Sequence, residues 1–262
     1  MGISGSWRIR KPSEDAETVY ISEKFGVRSL HIGSDTVQSA MRIGAPNDLE
    51  LSYTRSMMGF LLFNDHPKLV LMIGLGGGSV AKFIYHRMPW TTLRAIELRE
   101  RVLTVARRYF DVPPDDTRFE VILGDGAEFA SRPTVCADLV LVDGYDGESH
   151  VEALATTAFY RDCHERLNTG GMMVVNLWGG DREFHDTLKR IESAFPAGTL
   201  CLPAEKPGNI IVFGFRSAPG SLEWSVLDER AAALEPRYGL GFARFVESLR
   251  RMNRHDEKYL LI

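Results

Sequence analysis

Cysteine, positive charge and long apolar runs are what this 262-residue sequence has least of, and each shortage removes a class of function. Its three cysteines, Cys136, Cys163 and Cys201, are odd in number, far apart and in no C-x-x-C or Cys/His ligand spacing. That pattern excludes a disulfide framework and a structural zinc site, and it fits a reducing compartment. His31, His66, His86, His150, His164, His185 and His255 show no ligand spacing either, so no metal is expected. The apolar stretches, such as Met57 to Phe63 and Leu69 to Ile73, fall far short of the roughly 20 residues of a membrane helix. A net charge of −4 and a pI near 6.0 give no positive field to gather nucleic acid or anionic lipid, and the arginines between Arg94 and Arg108 read as an exposed helix face. The first residues lack the apolar core of a secretion signal, so a cytoplasmic protein is expected. Gly2 with Ser6 satisfies a myristoylation pattern too short to carry weight.

What is present is ordinary globular material, 44% hydrophobic and 25% charged, enough for one substantial core. Val19–Ile21, Ser29–Ile32 and Val37–Ile43 read as short strands separated by Phe25-Gly26 and Gly33-Ser34-Asp35, which makes residues 1–47 a β-rich appendage. After the break at Gly44–Asp48, Tyr53, Met57, Phe60, Leu61 and Phe63 recur at helical spacing as a linker helix opening the main domain, residues 48–262.

From Lys68 apolar runs alternate with amphipathic stretches: strands at 69–73, 93–97, 119–123, 139–142 and 172–177, with helices at 80–87, 101–110, around Ala127 and at 157–167. Such alternation demands a parallel sheet covered on both faces. Helix 182–195 then leads to strands 199–202 and 210–215, joined by a loop short enough to force an antiparallel pair. A seven-stranded α/β sheet with its last strand antiparallel is the S-adenosylmethionine-dependent methyltransferase-like Rossmann fold.

The chemistry sits at strand ends. Ile73-Gly74-Leu75-Gly76-Gly77-Gly78-Ser79 runs from a strand through four glycines into a helix, where backbone can approach a ligand closely. The third glycine of the G-x-G-x-x-G dinucleotide pattern falls on Ser79, which disfavours NAD. Glu97 closes the next strand, 23 residues after Gly74, and suits the two ribose hydroxyls. Asp125, followed by Gly126, is placed to accept from an adenine amino group or to cap the helix after it. Asp143 and Asp146 follow the fourth strand and open into the same crevice, since open parallel sheets bind ligands beyond the carboxyl ends of their strands. Tyr145 is read either as a gate or as packing on its own turn, and Trp178 as packing.

Taken together, the glycine loop, Glu97, Gly124-Asp125-Gly126, Asp143-x-x-Asp146, Phe159-Tyr160 and Leu167-Asn168-Thr169-Gly170-Gly171 resemble the spermidine synthases, or polyamine aminopropyltransferases, from Val19 to Phe215. The resemblance implies that Gly74, Gly76, Gly77, Gly78, Glu97, Asp125 and Gly126 hold the nucleoside. It makes Asp143 the base and Asp146 the amine anchor, with Gln38, Tyr53 and Tyr145 toward the amine substrate. It implies decarboxylated S-adenosylmethionine as co-substrate, a polyamine such as putrescine as acceptor, 5′-methylthioadenosine as product, and a homodimer.

Three departures mark a divergent branch. Gly77 stands where the family carries Asp, which removes a reason to prefer the decarboxylated over the intact cofactor; Gly77→Asp is expected to restore that preference. Thr54-Arg55 replaces His-Glu after Tyr53, a poor neighbour for a diamine if Arg55 faces the pocket, and Gly147 replaces a proline. Two other readings stay open: an S-adenosylmethionine-dependent methyltransferase, and a non-catalytic nucleoside-binding protein that has lost its amine site.

Overall fold

The computed structural model describes residues 18–132, 135–144, 151–206 and 208–262. Phe25 and Gly26 both take positive φ, 52° and 74°, the twist a two-residue hairpin loop needs. They join β1 (Val19–Lys24) to β2 (Val27–Ile32), and β3 (Val37–Arg42) completes an antiparallel three-stranded sheet. One face of it is apolar and buried: Leu30, Ile32 and Met41 pack on Val102 and Phe110 of the larger unit.

The linker segment forms α1 (Ser52–Met57) and then tightens into a 3-10 turn over Met58–Leu62, where a single α-helix was expected. Gly59 lies at the change; a Cβ there would come within 2.8 Å of Leu202 and 3.3 Å of Phe213, so the chain presses its backbone onto the sheet.

The alternation from Leu69 onward is realised as β4 (Leu69–Ile73), α2 (Ser79–Arg87), β5 (Thr92–Glu97), α3 (Glu100–Tyr109), β6 (Phe119–Leu123), α4 (Gly126–Ser131) and β7 (Ala137–Val142). It continues with α5 (Thr157–Glu165), β8 (Leu167–Trp178), α6 (Phe184–Ala194), β9 (Thr199–Pro203) and β10 (Asn209–Phe215). The sheet order is β6-β5-β4-β7-β8-β10-β9. β10 runs antiparallel to both β8 and β9, so the last of the seven strands in sequence is the reversed one.

β8 begins earlier than its apolar run, but its register with β7 jumps from Ala137↔Leu167 to Leu139↔Met172. Residues 168–171 therefore bulge, and regular pairing starts where the hydrophobic pattern does. Alternate residues along each strand feed two cores. Met72, Leu141 and Val174 face one cluster, while Ile73, Val142 and Val175 face the other, shared with Phe159 of α5 and Ile191 of α6.

The segment after Phe215, within the main domain 48–262, matches none of the strand–helix alternation before it. It forms α7 (Trp224–Tyr238) and α8 (Phe242–Met252), with the short pair β11 (Leu222–Glu223) and β12 (Tyr259–Leu260). Leu227, Ala231, Leu234, Phe242, Phe245 and Leu249 join the first core at helical spacing, so the helices are part of the fold rather than a tail. Among the described residues no helix is long and apolar enough to cross a membrane.

Candidate active site

Because β4 to β8 are parallel, their carboxyl ends share one edge of the sheet, and a cavity of about 590 Å³ lies there. That is mid-range for a small-molecule site. Gly74, Gly76, Glu97, Asp125, Gly126 and Asp143 all line it, as do Gln38 from β3 and Tyr53 from α1. From β6 to β8 is four strand spacings, roughly 19 Å, long enough for an extended nucleoside with a tail. Tyr145 and Asp146 lie outside the described residues.

Gly74 is where the glycine loop leaves β4, at φ 90°, and a Cβ there would sit 2.2 Å from the Asp143 carbonyl oxygen. Only glycine lets the ends of β4 and β7 come this close. Glu97, 5% exposed, is gripped by backbone: one oxygen accepts from Leu75 N–H at 3.0 Å and Gly76 N–H at 3.4 Å, the other from Arg99 N–H at 2.9 Å. Each carboxylate oxygen has two lone pairs, so one accepting position, on the oxygen that Arg99 N–H reaches, remains for a ribose hydroxyl. Asp125 caps α4 through Oδ1, which accepts from Ala127 N–H at 2.7 Å and Glu128 N–H at 3.2 Å. Among the described residues no hydrogen bond reaches its Oδ2, so capping and a ligand contact are compatible.

Gly77 and Gly78 stand back from the cavity, against the expectation that they touch the cofactor. Gly77 N–H donates to Ser39 Oγ at 2.9 Å, and a Cβ at Gly77 would meet Ser39 Cβ at 2.8 Å and Phe110 at 3.0 Å. This glycine is required for seating β3 on the loop. Arg55 is likewise turned away: its guanidinium donates to the Leu49 and Glu50 carbonyls, both at 2.9 Å, and pairs with Glu205 at 3.3 Å. It does not line the cavity.

Asp143 is held differently from Glu97. Its Oδ2 lies 3.2 Å from Tyr53 OH, which is equally far from the Gln38 carbonyl; its Oδ1 accepts from Asn176 Nδ2 at 2.9 Å. Burial pushes this carboxyl above its ordinary pKa, and the bonds from Asn176 and Tyr53 pull the other way. No cation contacts it among the described residues. The result is a carboxylate stabilised by neutral donors, able to bind an ammonium and to take its proton.

Several lining residues escaped the sequence reading. Asn176, Asn209, Ser39, Arg99 and Lys206 all border the cavity, and Trp178, 46% exposed, forms part of its wall instead of packing in the core. A lone amide inside the apolar run Met172–Leu177 was the available signal for Asn176. Ser39 and Arg99 carried none.

The sequence pattern of the spermine/spermidine synthase domain matches residues 50–215. A polyamine aminopropyltransferase of Chromobacterium violaceum is 42% identical over 97% of this chain and 98% of its own length. The polyamine aminopropyltransferase of Neisseria meningitidis serogroup A is 41% identical over 96% of both. Among solved structures, a probable spermidine synthase from Corynebacterium glutamicum superposes with a TM-score of 0.71 over 98% of this chain and 97% of that one, at 18% identity. Human methyltransferase-like protein 13, in complex with SAH, superposes with 0.64 over 79% and 96%, at 23% identity. At such identities the structures speak for the fold alone. The family pattern covers the strands that carry Gly74, Glu97, Asp125 and Asp143, and the bacterial relatives align almost end to end: the chain belongs to the spermine/spermidine synthase family.

Proposed function

We propose that this chain transfers an aminopropyl group from decarboxylated S-adenosylmethionine to a polyamine such as putrescine, releasing 5′-methylthioadenosine. The observation that carries this reading is Asp143, a half-buried carboxylate held, among the described residues, by the neutral side chains of Tyr53 and Asn176, in the same cavity as Glu97. An alkylamine with a pKa near 10.4 arrives protonated and cannot attack carbon. Asp143 binds the cation and takes its proton; the freed nitrogen lone pair attacks the methylene beside the sulfonium, and the carbon–sulfur bond breaks with its electron pair going to sulfur. Glu97 and Asp125 hold the nucleoside, with Gly74 and Gly76 giving it room; Tyr53 and Gln38 border the acceptor, and Asp146 and Tyr145, outside the described residues, are assigned to the amine by the family resemblance alone. The same reading places the enzyme in the cytoplasm as a homodimer, supported by family resemblance and, for the compartment, by three unpaired cysteines.

A second reading, methyl transfer from intact S-adenosylmethionine, rests on the missing carboxylate at Gly77, and that residue lends it no support, because its Cβ direction points at Ser39 and Phe110 and not into the cavity. Incubation with either cofactor and putrescine separates the two by product. Methylthioadenosine is expected; S-adenosylhomocysteine would mean methyl transfer, and neither product despite tight nucleoside binding would mean a binding module.

A further inference from the structure

We infer that Asn176 and Asn209 form a directional amide relay that fixes the Asp143 carboxylate for proton transfer, making Asn176 a positioning residue; the inference rests on the aminopropyl-transfer reading above. The strand order brings these residues together. Val142 pairs with Val175, so Asn176 comes up beside Asp143 at the end of β7. Across β8 and β10, Asn176 opposes Ile211, and Asn209 is its diagonal neighbour on the same face. Asn209 Nδ2 donates to Asn176 Oδ1 at 3.0 Å, and Asn176 Nδ2 donates to Asp143 Oδ1 at 2.9 Å.

The relay has one polarity. Because Asn209 presents an N–H to the Asn176 carbonyl, the Asn176 amide group faces the carboxylate with its donor; flipping it would set oxygen against oxygen at Asp143 and donor against donor at Asn209. Asn176 is 2% exposed and flanked by fully buried Val175 and Leu177, 3% exposed, so an aliphatic residue would pack there without desolvating an amide. An amide stabilises the ionised carboxylate without a counter-charge. A cation in its place would lower the basicity the reaction uses, and an aliphatic residue would let burial push the carboxyl further above its ordinary pKa. The other titratable, charged and amide groups that line the same cavity are Tyr53 from α1, Glu97 at the end of β5, Arg99 before α3, Asp125 after β6, and Gln38, Lys206 and Asn209. Of these, Tyr53 alone contacts the carboxylate in the described structure.

The test compares Asn176→Leu, Asn209→Leu and the double variant. Asn176→Leu is expected to lower kcat/KM for methylthioadenosine release by about 10- to 100-fold. The acidic limb of its pH profile moves up by about one pH unit, because a donor that favours the charged form is gone. Methylthioadenosine affinity, measured by calorimetry, stays within about threefold, which also reports on folding. Asn209→Leu gives a smaller change in the same direction, and the double variant is no worse than Asn176→Leu, since Asn209 acts through Asn176. Independently of turnover, the carboxyl carbon of Asp143, followed by 13C NMR and assigned against Asp143→Asn, titrates about one unit higher in Asn176→Leu. An unchanged Asp143 titration in folded Asn176→Leu overturns the relay, and additive losses in the double variant give Asn209 a separate role. A wild-type protein that releases no methylthioadenosine overturns the transferase reading instead, while the titration still decides the relay.

Discussion

The two ends of the crevice hold their carboxylates by opposite means. At the end proposed for the nucleoside, Glu97 and Asp125 are bonded to backbone N–H groups, of their own loops and, for Glu97, of the glycine loop on the neighbouring strand, so their position follows from how the backbone turns. At the other end Asp143 is bonded to two side chains that arrive from α1 and β8, 90 and 33 residues away in sequence. A backbone grip holds a carboxylate in one shape as an acceptor, whereas a side-chain grip can set how readily it takes a proton. The first suits recognition and the second suits catalysis.

The largest break in this comparison is expected from Asp143→Asn, which keeps the shape and removes the base. Turnover falls by about two to four orders of magnitude, and nucleoside affinity barely moves. Assay of methylthioadenosine release alongside calorimetry checks both halves, and retained turnover removes Asp143 from the chemistry.

Lys82 extends the comparison to a cation. It is fully buried in α2, and among the described residues its ammonium donates to the Pro46 and Phe110 carbonyls, at 2.7 and 2.6 Å, and to Met41 Sδ at 3.2 Å. Burial brings its pKa from 10.5 down to about 8. Between those two pH values the folded state binds fewer protons than the unfolded chain, so stability should climb as pH rises from about 8 to 10.5. The full span is worth about 3 kcal/mol. Urea unfolding of the wild type and of Lys82→Met across this range measures it; parallel pH curves for the two proteins would show that Lys82 is not the source.

Glu97→Ala tests the backbone-gripped end and should weaken methylthioadenosine by about 1.5 to 3 kcal/mol, the range for hydrogen bonds to a charged group. Unchanged affinity in the folded variant takes Glu97 out of the site. The smallest effect is expected at Gly77. Since its Cβ direction points at Ser39 and Phe110, Gly77→Asp should lower stability by about 1 to 3 kcal/mol, as overpacking does. Decarboxylated and intact S-adenosylmethionine should then lose affinity in parallel; a change in their ratio would mean that the side chain reaches the cofactor tail after all.

The sequence by itself determined the order of strands and helices from Leu69 to Phe215, the reversed final strand and the strand-end positions of Gly74, Glu97, Asp125 and Asp143. Each follows from local rules: hydrophobic period, glycine at a tight turn, short loops forcing antiparallel pairs. α7 carries helical spacing at Leu227, Ala231 and Leu234, and α8 at Phe242, Phe245 and Leu249, so both are legible to the same rule. Only the tertiary structure decided that Asn176 and Asn209 reach Asp143, that Trp178 lines the cavity, and that Gly77 and Arg55 face away from it. Which side chains from different strands share a face depends on neighbour order and register, and on how the β1–β3 sheet seats against the glycine loop. Those are contacts between residues far apart in sequence, set when packing closes the sheet, and no local pattern encodes them.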